Sequence, residues 1–139
     1  MAFFVLLLHL MRNSNKKILI VDGNNGSRES LRDFLQGLGH EVHEASTGLE
    51  ALDKASSLHP NLIMMELRLP EMTGDEATKR LKSNMSTRHI PIVINAGWTT
   101  ACNVEERADR ALTAGAEEVL YKPFYLPMVR DVLRTYLFA

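Results

Sequence analysis

Residues 62–81 read LIMMELRLPEMTGDEATKRL, and within these residues a strand pattern leads directly into a helix pattern. Its first four residues form a short apolar run, which is typical of a strand that is buried on both faces of a sheet. Thr73 and Glu76 then have the three-residue spacing of a capping box, which marks the beginning of a helix. The stretch therefore predicts one strand followed by one helix.

The same alternation recurs along the chain. Further short apolar runs occupy residues 17–21, 41–45, 91–94 and 118–121, with segments of helical period between them. Gly39 is expected to cap the first helix, and Thr47 and Glu50 to begin the second. The second helix is marked by Leu49, Leu52 and Ala55, and the fourth by Val104, Ala108 and Leu112. The second apolar run alternates in polarity as an edge strand does. Five alternations predict right-handed crossovers and a doubly wound α/β domain, with a mainly parallel sheet and helices on both faces.

Composition limits the classes of function. The chain has 139 residues, 45% hydrophobic and 24% charged, which is typical of one globular domain. Its 16 Lys and Arg residues balance 17 Asp and Glu residues to a net charge of −1, which argues against a protein that binds nucleic acid. The single cysteine, Cys102, excludes an intramolecular disulfide and a cysteine-cluster metal site, and it suits a reducing cytoplasm.

Residues 1–15 form a leader that differs from residues 16–139, the expected domain. The leader begins with MAFFVLLLHLM, and this apolar run is shorter than the ~20 residues that a membrane-spanning helix needs, so we expect no membrane span. No Lys or Arg precedes the run and no A-x-A cleavage pattern follows it, so export is the least favoured interpretation. Two others stay open: Met11 is the natural start, or the leader is a short helix that covers its apolar surface on the domain or on a second copy.

Polar residues follow the apolar runs where such a sheet binds its ligands. In open α/β sheets, ligands lie beyond the carboxyl ends of the strands. Those ends carry Asp22, Glu66, Asn95 or Ala96, and Lys122, in chain order. From the residues alone, a structural ion pair that closes this edge of the sheet and a functional site are equally supported.

Three motifs resemble the receiver domain of bacterial response regulators. They are ILIVD at residues 18–22, LIMMELRLPEMTG at residues 62–74 and KPF at residues 122–124, and the resemblance covers residues 16–139. It implies a flavodoxin-like fold with five parallel strands in the order 2-1-3-4-5. It also implies a cis peptide bond before Pro123, since X-Pro is the context in which cis costs only about 0.5–1 kcal/mol.

The resemblance also implies a chemistry, from which this chain departs. Receivers accept a phosphoryl group from a histidine kinase on an aspartate that ends the third strand, with the help of Mg²⁺ and a lysine. Here Glu66 stands at the acceptor position, Gly23 replaces the acidic residue after Asp22, and only Asp22 and Lys122 match in type. Because Mg²⁺ needs near-ideal oxygen coordination, we expect no metal at Gly23 and no cofactor.

The switch positions depart as well. The Ser or Thr that holds the phosphoryl group falls on Ala96, or on Asn95 if the fourth strand is one residue shorter, and Val119 takes the place of an aromatic residue. With the acceptor, one acid and the hydroxyl replaced, we expect phosphotransfer to be lost. Arg68 either fills the vacated cation position or is solvated, and Trp98 is either a partner anchor or a lid on the helix below it.

Three classes of function stay in play. The expected one is a pseudo-receiver, a non-enzymatic cytoplasmic module that binds signalling proteins, such as a histidine kinase or a regulator, without phosphorylation. Its simplest partner is a second copy, bound through the fourth helix, fifth strand and fifth helix. The alternatives are a phosphoacceptor of a two-component phosphorelay that works with a degenerate site through Asp22, and a flavodoxin-like domain that binds a small ligand on residues 23–27.

Overall fold

The structure, a computed structural model, describes residues 1–6, 15–97, 104–123 and 125–138. Between Lys17 and Leu137, five strands alternate with five helices. The strands are β1 (Lys17–Val21), β2 (Glu41–Ala45), β3 (Leu62–Glu66), β4 (Ile92–Gly97) and β5 (Glu118–Lys122). The helices are α1 (Asn25–Gly37), α2 (Gly48–Leu58), α3 (Gly74–Ser83), α4 (Val104–Ala114) and α5 (Leu126–Leu137). Each of the five short apolar runs after the leader is a strand, although β3, β4 and β5 extend further than predicted and include Glu66, Asn95, Ala96 and Lys122.

All five strands are parallel and lie in the order β2-β1-β3-β4-β5. All five residues of β3 are buried, as expected of a central strand with helices on both faces. Only Ala45 is buried in β2, which lies at the edge of the sheet. The predicted fold, strand order and edge strand are therefore confirmed.

The helices divide between the two faces of the sheet. α1 and α5 pack on one face, where Leu35 and Val132 meet Ile20 and Met64. α2, α3 and α4 pack on the other face, where Ala51, Ala77 and Ala111 belong to the core around Met65 and Ile94. Because side chains alternate along a strand, each residue at a strand end can be assigned to one of these two faces.

The helix ends match the predictions in part. The Thr47 hydroxyl accepts a hydrogen bond from Glu50 N at 3.1 Å at the beginning of α2, as predicted. Thr73 precedes α3 but makes no such bond within the described part of the chain, so the predicted capping box there is wrong. Gly39 lies two residues beyond the end of α1 with φ = +94°, a conformation that favours glycine.

The described part of the leader does not cover its apolar surface on the domain. Residues 2–6 are helical, and the side chains of Phe3 and Phe4 are 78% and 63% exposed. Among the residues that the structure describes, no helix is long and apolar enough to cross a membrane.

Candidate functional site

The fold brings four polar side chains to one edge and one face of the sheet. Glu66 and Lys122 end β3 and β5, Asp22 follows β1, and Asn95 pairs in register with Glu66 from β4. Each of these residues is two positions beyond a residue in the α1/α5 core, namely Ile20, Met64, Val93 and Leu120. Strand alternation therefore assigns all four to the α1/α5 face, and we call them the edge cluster.

Lys122 joins the two carboxylates of the edge cluster. Its Nζ lies 2.5 Å from Glu66 Oε2 and 3.7 Å from Asp22 Oδ2. The side chains of Glu66 and Asp22 are only 11% and 12% exposed, and that of Lys122 is 30% exposed. The structure thus brings Asp22, Glu66 and Lys122 together, as their positions at the strand ends predict.

Burial dominates the ionisation of Glu66. Removal of its carboxylate from water raises the pKa, the nearby Lys122 ammonium lowers it, and Asp22 raises it further, so that the pKa of Glu66 lies above its ordinary value. The contact with Lys122 is therefore a compensated pair in a partly desolvated site. If Glu66 or Lys122 were removed, the charge of the remaining residue would stay partly buried without its partner, which is energetically costly.

Asp22 is fixed by the beginning of α1. Its Oδ1 accepts a hydrogen bond from Asn24 N at 2.8 Å, and its backbone carbonyl accepts one from Arg28 Nη1 at 2.8 Å. The Arg28 guanidinium also donates from Nε to Glu44 Oε1 on β2, at 3.1 Å. Arg28 could not be predicted as a site residue, because no spacing in the sequence shows that a helix residue reaches back to the end of β1.

Gly74 allows α3 to begin directly against β3. A Cβ atom at this position would lie 2.5 Å from the Glu66 carbonyl oxygen, closer than real Cβ contacts come. Gly74 N donates to Leu67 O at 2.8 Å, which closes the loop between the strand and the helix. The glycine at the end of the LIMMELRLPEMTG motif therefore keeps the chain close behind Glu66.

The two candidates for the Ser or Thr position lie on opposite faces of β4. Ala96 is fully buried in the same core as α4, and the partly buried Val119 packs against that core. Asn95 has the other orientation and belongs to the edge cluster. Ala96, rather than Asn95, thus shares a face with Val119, and neither Ala96 nor Val119 carries a hydroxyl or an aromatic ring.

The remaining sequence candidates lie around this site or outside the described residues. The Lys122–Pro123 peptide bond is cis, as the resemblance implies. Arg68 is exposed and lines a cavity with Leu69 and Val104, beside α4. Trp98 and Cys102 lie outside the described residues, so their suggested roles stay predictions.

The oxygen donors of the edge cluster do not fit Mg²⁺ well. Asp22 Oδ1 is already hydrogen-bonded, and Glu66 Oε2 is in contact with the Lys122 ammonium. The position after Asp22 is Gly23, which supplies no carboxylate. Because Mg²⁺ requires several well-placed oxygen ligands, the chemistry of this donor set is poor for the ion.

A parallel 2-1-3-4-5 sheet with an acid after β1, an acid at the end of β3 and a lysine at the end of β5 defines the receiver class of signalling domain. A family model described as the response regulator receiver domain matches residues 18–134. The chain therefore belongs to the response regulator receiver domain family.

Curated relatives and solved structures agree with this family. The chain is 35% identical to the polar-differentiation response regulator DivK of Brucella ovis over 122 residues, covering 88% of this chain and 96% of that protein. A putative response regulator from Chloroflexus aurantiacus has a TM-score of 0.80 at 26% identity, over 90% of this chain and 99% of that one. The chemotaxis response regulator CheY4 of Vibrio cholerae has a TM-score of 0.78 at 29% identity, over 88% and 99% of the two chains.

One similar structure carries a metal. The receiver domain of a sensor histidine kinase from Pseudomonas aeruginosa was solved with a magnesium ion coordinated in its active-site cleft. It has a TM-score of 0.78 at 26% identity, and the match covers 90% of this chain and 99% of that one. This structural neighbour therefore binds the ion that we expect this chain not to bind.

Proposed function

We propose that this chain is a pseudo-receiver, a receiver domain that signals through protein contacts without accepting a phosphoryl group and without enzymatic activity. The observation that carries this proposal is the 2.5 Å contact between Glu66 Oε2 and Lys122 Nζ. Glu66 stands where the family has its acceptor, and its carboxylate already holds the lysine that would bind a phosphoryl oxygen. The carboxylate at the acceptor position and the lysine are therefore already paired with each other.

The length of the Glu66 side chain supports the same proposal. Glutamate has one methylene more than aspartate, which moves its carboxylate by about 1.5 Å along the side chain. In-line transfer depends on the positions of the reacting atoms, and an error of ~1 Å costs about 10²-fold in rate. Transfer to Glu66 is further opposed by the poor oxygen donor set for Mg²⁺.

The Glu66–Lys122 pair imitates an occupied site only in part. A carboxylate carries one negative charge, whereas a phosphoryl group carries about 1.5–2. Ala96 cannot donate a hydrogen bond to either group, since it has no hydroxyl. The link from the edge cluster to α4 is therefore absent, and we propose that the α4–β5–α5 face keeps one conformation.

The partners that follow from this proposal are other signalling proteins of the cytoplasm, such as a histidine kinase or a regulator. Leu112 on α4 is 45% exposed, and Tyr125 and Leu126 at the beginning of α5 are 72% and 53% exposed. These side chains offer apolar area for a protein contact on the α4–β5–α5 face. A second copy is the simplest partner, and the exposed Phe3 and Phe4 of the leader offer further apolar area.

Incubation with acetyl phosphate and Mg²⁺ tests the proposal by intact-mass measurement. We expect no phosphoryl adduct on the full chain. The control is the double variant Glu66→Asp/Gly23→Asp, which should recover part of the metal binding and phosphorylation, while either change alone recovers little. At position 23 a Cβ would lie 3.3 Å from Pro70 Cδ, so the ring must give by a few tenths of an ångström.

Two results of this experiment would contradict the proposal. A stable adduct that Glu66→Gln removes would make Glu66 an acceptor. An adduct that Asp22→Asn removes would favour the phosphoacceptor that works through Asp22.

A further inference from the structure

We propose that the cavity between the edge cluster, α1 and α5 binds a small organic cation, with its ammonium group at Asn95 and Asp22 and its apolar body between the two helices. The cavity measures about 750 Å³, within the range of small-ligand sites. Asp22, Asn95 and Lys122 line its polar end, and Leu31, Leu126 and Val129 line its apolar part. This inference does not depend on the proposed function, because its test does not involve phosphorylation.

Asn95 is the observation that points to a ligand. Only 4% of this residue is exposed, and it lines the cavity from the centre of the sheet edge. Within the described residues, its Oδ1 atom is buried and has no hydrogen-bond partner. Because a buried acceptor without a donor is costly, a ligand that donates a hydrogen bond to Asn95 would gain binding free energy from it.

The charges around Asn95 determine what kind of donor fits. Asp22 and Glu66 carry two negative charges against the single positive charge of Lys122, so the edge cluster has a net charge of −1 when all three are ionised. Asp22 Oδ2 lies 3.7 Å from Lys122 Nζ, beyond hydrogen-bonding distance, and retains acceptor capacity. Hydrogen-bond donors with a positive charge are therefore the chemical class of ligand that suits Asp22 and Asn95.

The beginning of α1 does not turn this cavity into an anion site. Gly26 and Ser27 line the cavity, but Ser27 N already donates to Asn24 Oδ1 at 2.9 Å. The apolar side chains of Leu31, Leu126 and Val129 also suit an organic body better than a hydrated metal ion. In the part of the chain that the structure describes, no group of three or more His, Cys, Asp or Glu side chains could hold a metal.

Butylammonium is a suitable probe, since it combines a primary ammonium with a short apolar chain. Titration of the full chain, followed by amide NMR, should give saturable shifts at Ser30, Leu31 and Leu126. Butyrate and 1-butanol have the same chain length with a negative or neutral head group, and neither should saturate these signals. Sodium chloride at equal ionic strength controls for screening.

Variants of Asn95 connect the binding to the unpartnered acceptor. Asn95→Leu should weaken butylammonium binding about tenfold, the effect of one hydrogen bond to a charged group. Asn15→Leu, an exposed Asn at the opposite end of β1, should leave the dissociation constant unchanged. If Asn95→Leu does not fold, Asn95→Asp provides the test, because an added carboxylate should tighten binding.

Three results would overturn this inference. The first is the absence of any saturable shift with butylammonium. The second is butyrate binding as tightly as butylammonium, which would mean that Lys122 and the beginning of α1 select an anion. The third is a dissociation constant that neither Asn95→Leu nor Asn95→Asp changes.

Discussion

Gly74 and Glu66 show how one residue without a side chain controls the position of another. The carbonyl oxygen of Glu66 occupies the space that a Cβ at position 74 would need, with 2.5 Å between them. A larger residue at position 74 must therefore push α3 away from β3. The same shift would move the backbone that carries the Glu66 carboxylate.

Gly74→Ala should destabilise the fold by about 1–3 kcal/mol, because overpacking against backbone cannot be relieved by a rotamer change. Gly37→Ala is the matched control, since it also lies at the end of a helix but has nothing within 4 Å of its added Cβ. It should be neutral or stabilise by up to about 1 kcal/mol. Urea unfolding measures both, and an equal effect of the two changes would contradict the close approach.

Glu66 should make stability depend on pH in a predictable direction. Its pKa is raised in the folded chain, mainly by burial, above the ordinary value of 4.5. The folded state then binds more protons than the unfolded state, so Glu66 contributes stability below pH 4.5 that is lost as the pH rises through the raised pKa. Glu66→Gln removes this titration and keeps the shape of the side chain.

We therefore expect the free energy of unfolding of the native chain to fall relative to that of Glu66→Gln as the pH rises above 4.5. Urea unfolding of both proteins at a series of pH values measures the difference. A native chain that instead gains stability over Glu66→Gln in this window would show that the Lys122 contact outweighs burial.

At the level of the helices, Thr47 and Thr73 both stand directly before a helix, but only Thr47 caps its helix among the described residues. Thr47 accepts a hydrogen bond from Glu50 N at the beginning of α2, while Thr73 makes no side-chain cap bond to the described residues of α3. Thr47→Ala should cost about 1 kcal/mol, as typical for an N-cap. Thr73→Ala is the matched control and should cost less than half of that, measured by thermal or urea unfolding. Equal losses would mean that both residues cap their helices.

The spacing of apolar residues predicts the buried side of α2 and α4 only in part. Of the residues that mark these helices in the sequence, Ala55, Val104 and Ala108 are buried, but Leu49 and Leu112 are 47% and 45% exposed. Most of the buried residues are small: Gly48, Ala51 and Ala55 in α2, and Ala108 and Ala111 in α4. A Cβ at Gly48 would lie 2.9 Å from Met72 Cβ, so close packing of the elements decides which side is buried. Such proximity depends on the tertiary structure and cannot be derived from the spacing of apolar residues.

Strand prediction succeeded because its signal is local. Each short apolar run became one strand, and the resemblance added the order in which the strands lie. The positions of Asp22, Glu66 and Lys122 followed directly, because the carboxyl ends of parallel strands share one edge of the sheet. Asn95 was considered only as an alternative to Ala96, at the end of the fourth strand and at the switch position, because β4 ends later than predicted. Its unpartnered oxygen depends on neighbours that only the folded chain provides.

For the whole molecule, the proposed dimer face can be tested with two matched leucines. Leu112→Gln removes exposed apolar area from α4, and Leu49→Gln removes a similar area from α2 on another helix of the same sheet face. If the chain forms a dimer through the α4–β5–α5 face, Leu112→Gln should weaken it severalfold, whereas Leu49→Gln should not. Analytical ultracentrifugation over a range of concentrations measures the dimer dissociation constant.

Charge reversal on this face is best placed at Arg110, which is exposed and paired with Glu106 at 2.7 Å. Arg130 is unsuitable, because its guanidinium lies 6.0 Å from the centre of the Phe34 ring of α1 and therefore turns away from α4. A dimer that survives both Leu112→Gln and Arg110→Glu unchanged would place the interface elsewhere. A chain that stays monomeric at all concentrations would exclude the second copy as its partner.

The response to beryllofluoride and Mg²⁺, followed by amide NMR of the full chain, tests the absence of phosphoryl chemistry most directly. Beryllofluoride imitates a phosphoryl group and binds only where an acceptor carboxylate, a metal and a lysine are all in place. We expect the spectra of the native chain with and without the reagent to coincide, and those of Glu66→Asp/Gly23→Asp to differ around Lys122. Saturable shifts at Glu66 and Lys122 in the native chain would contradict the proposal that this receiver works without phosphorylation.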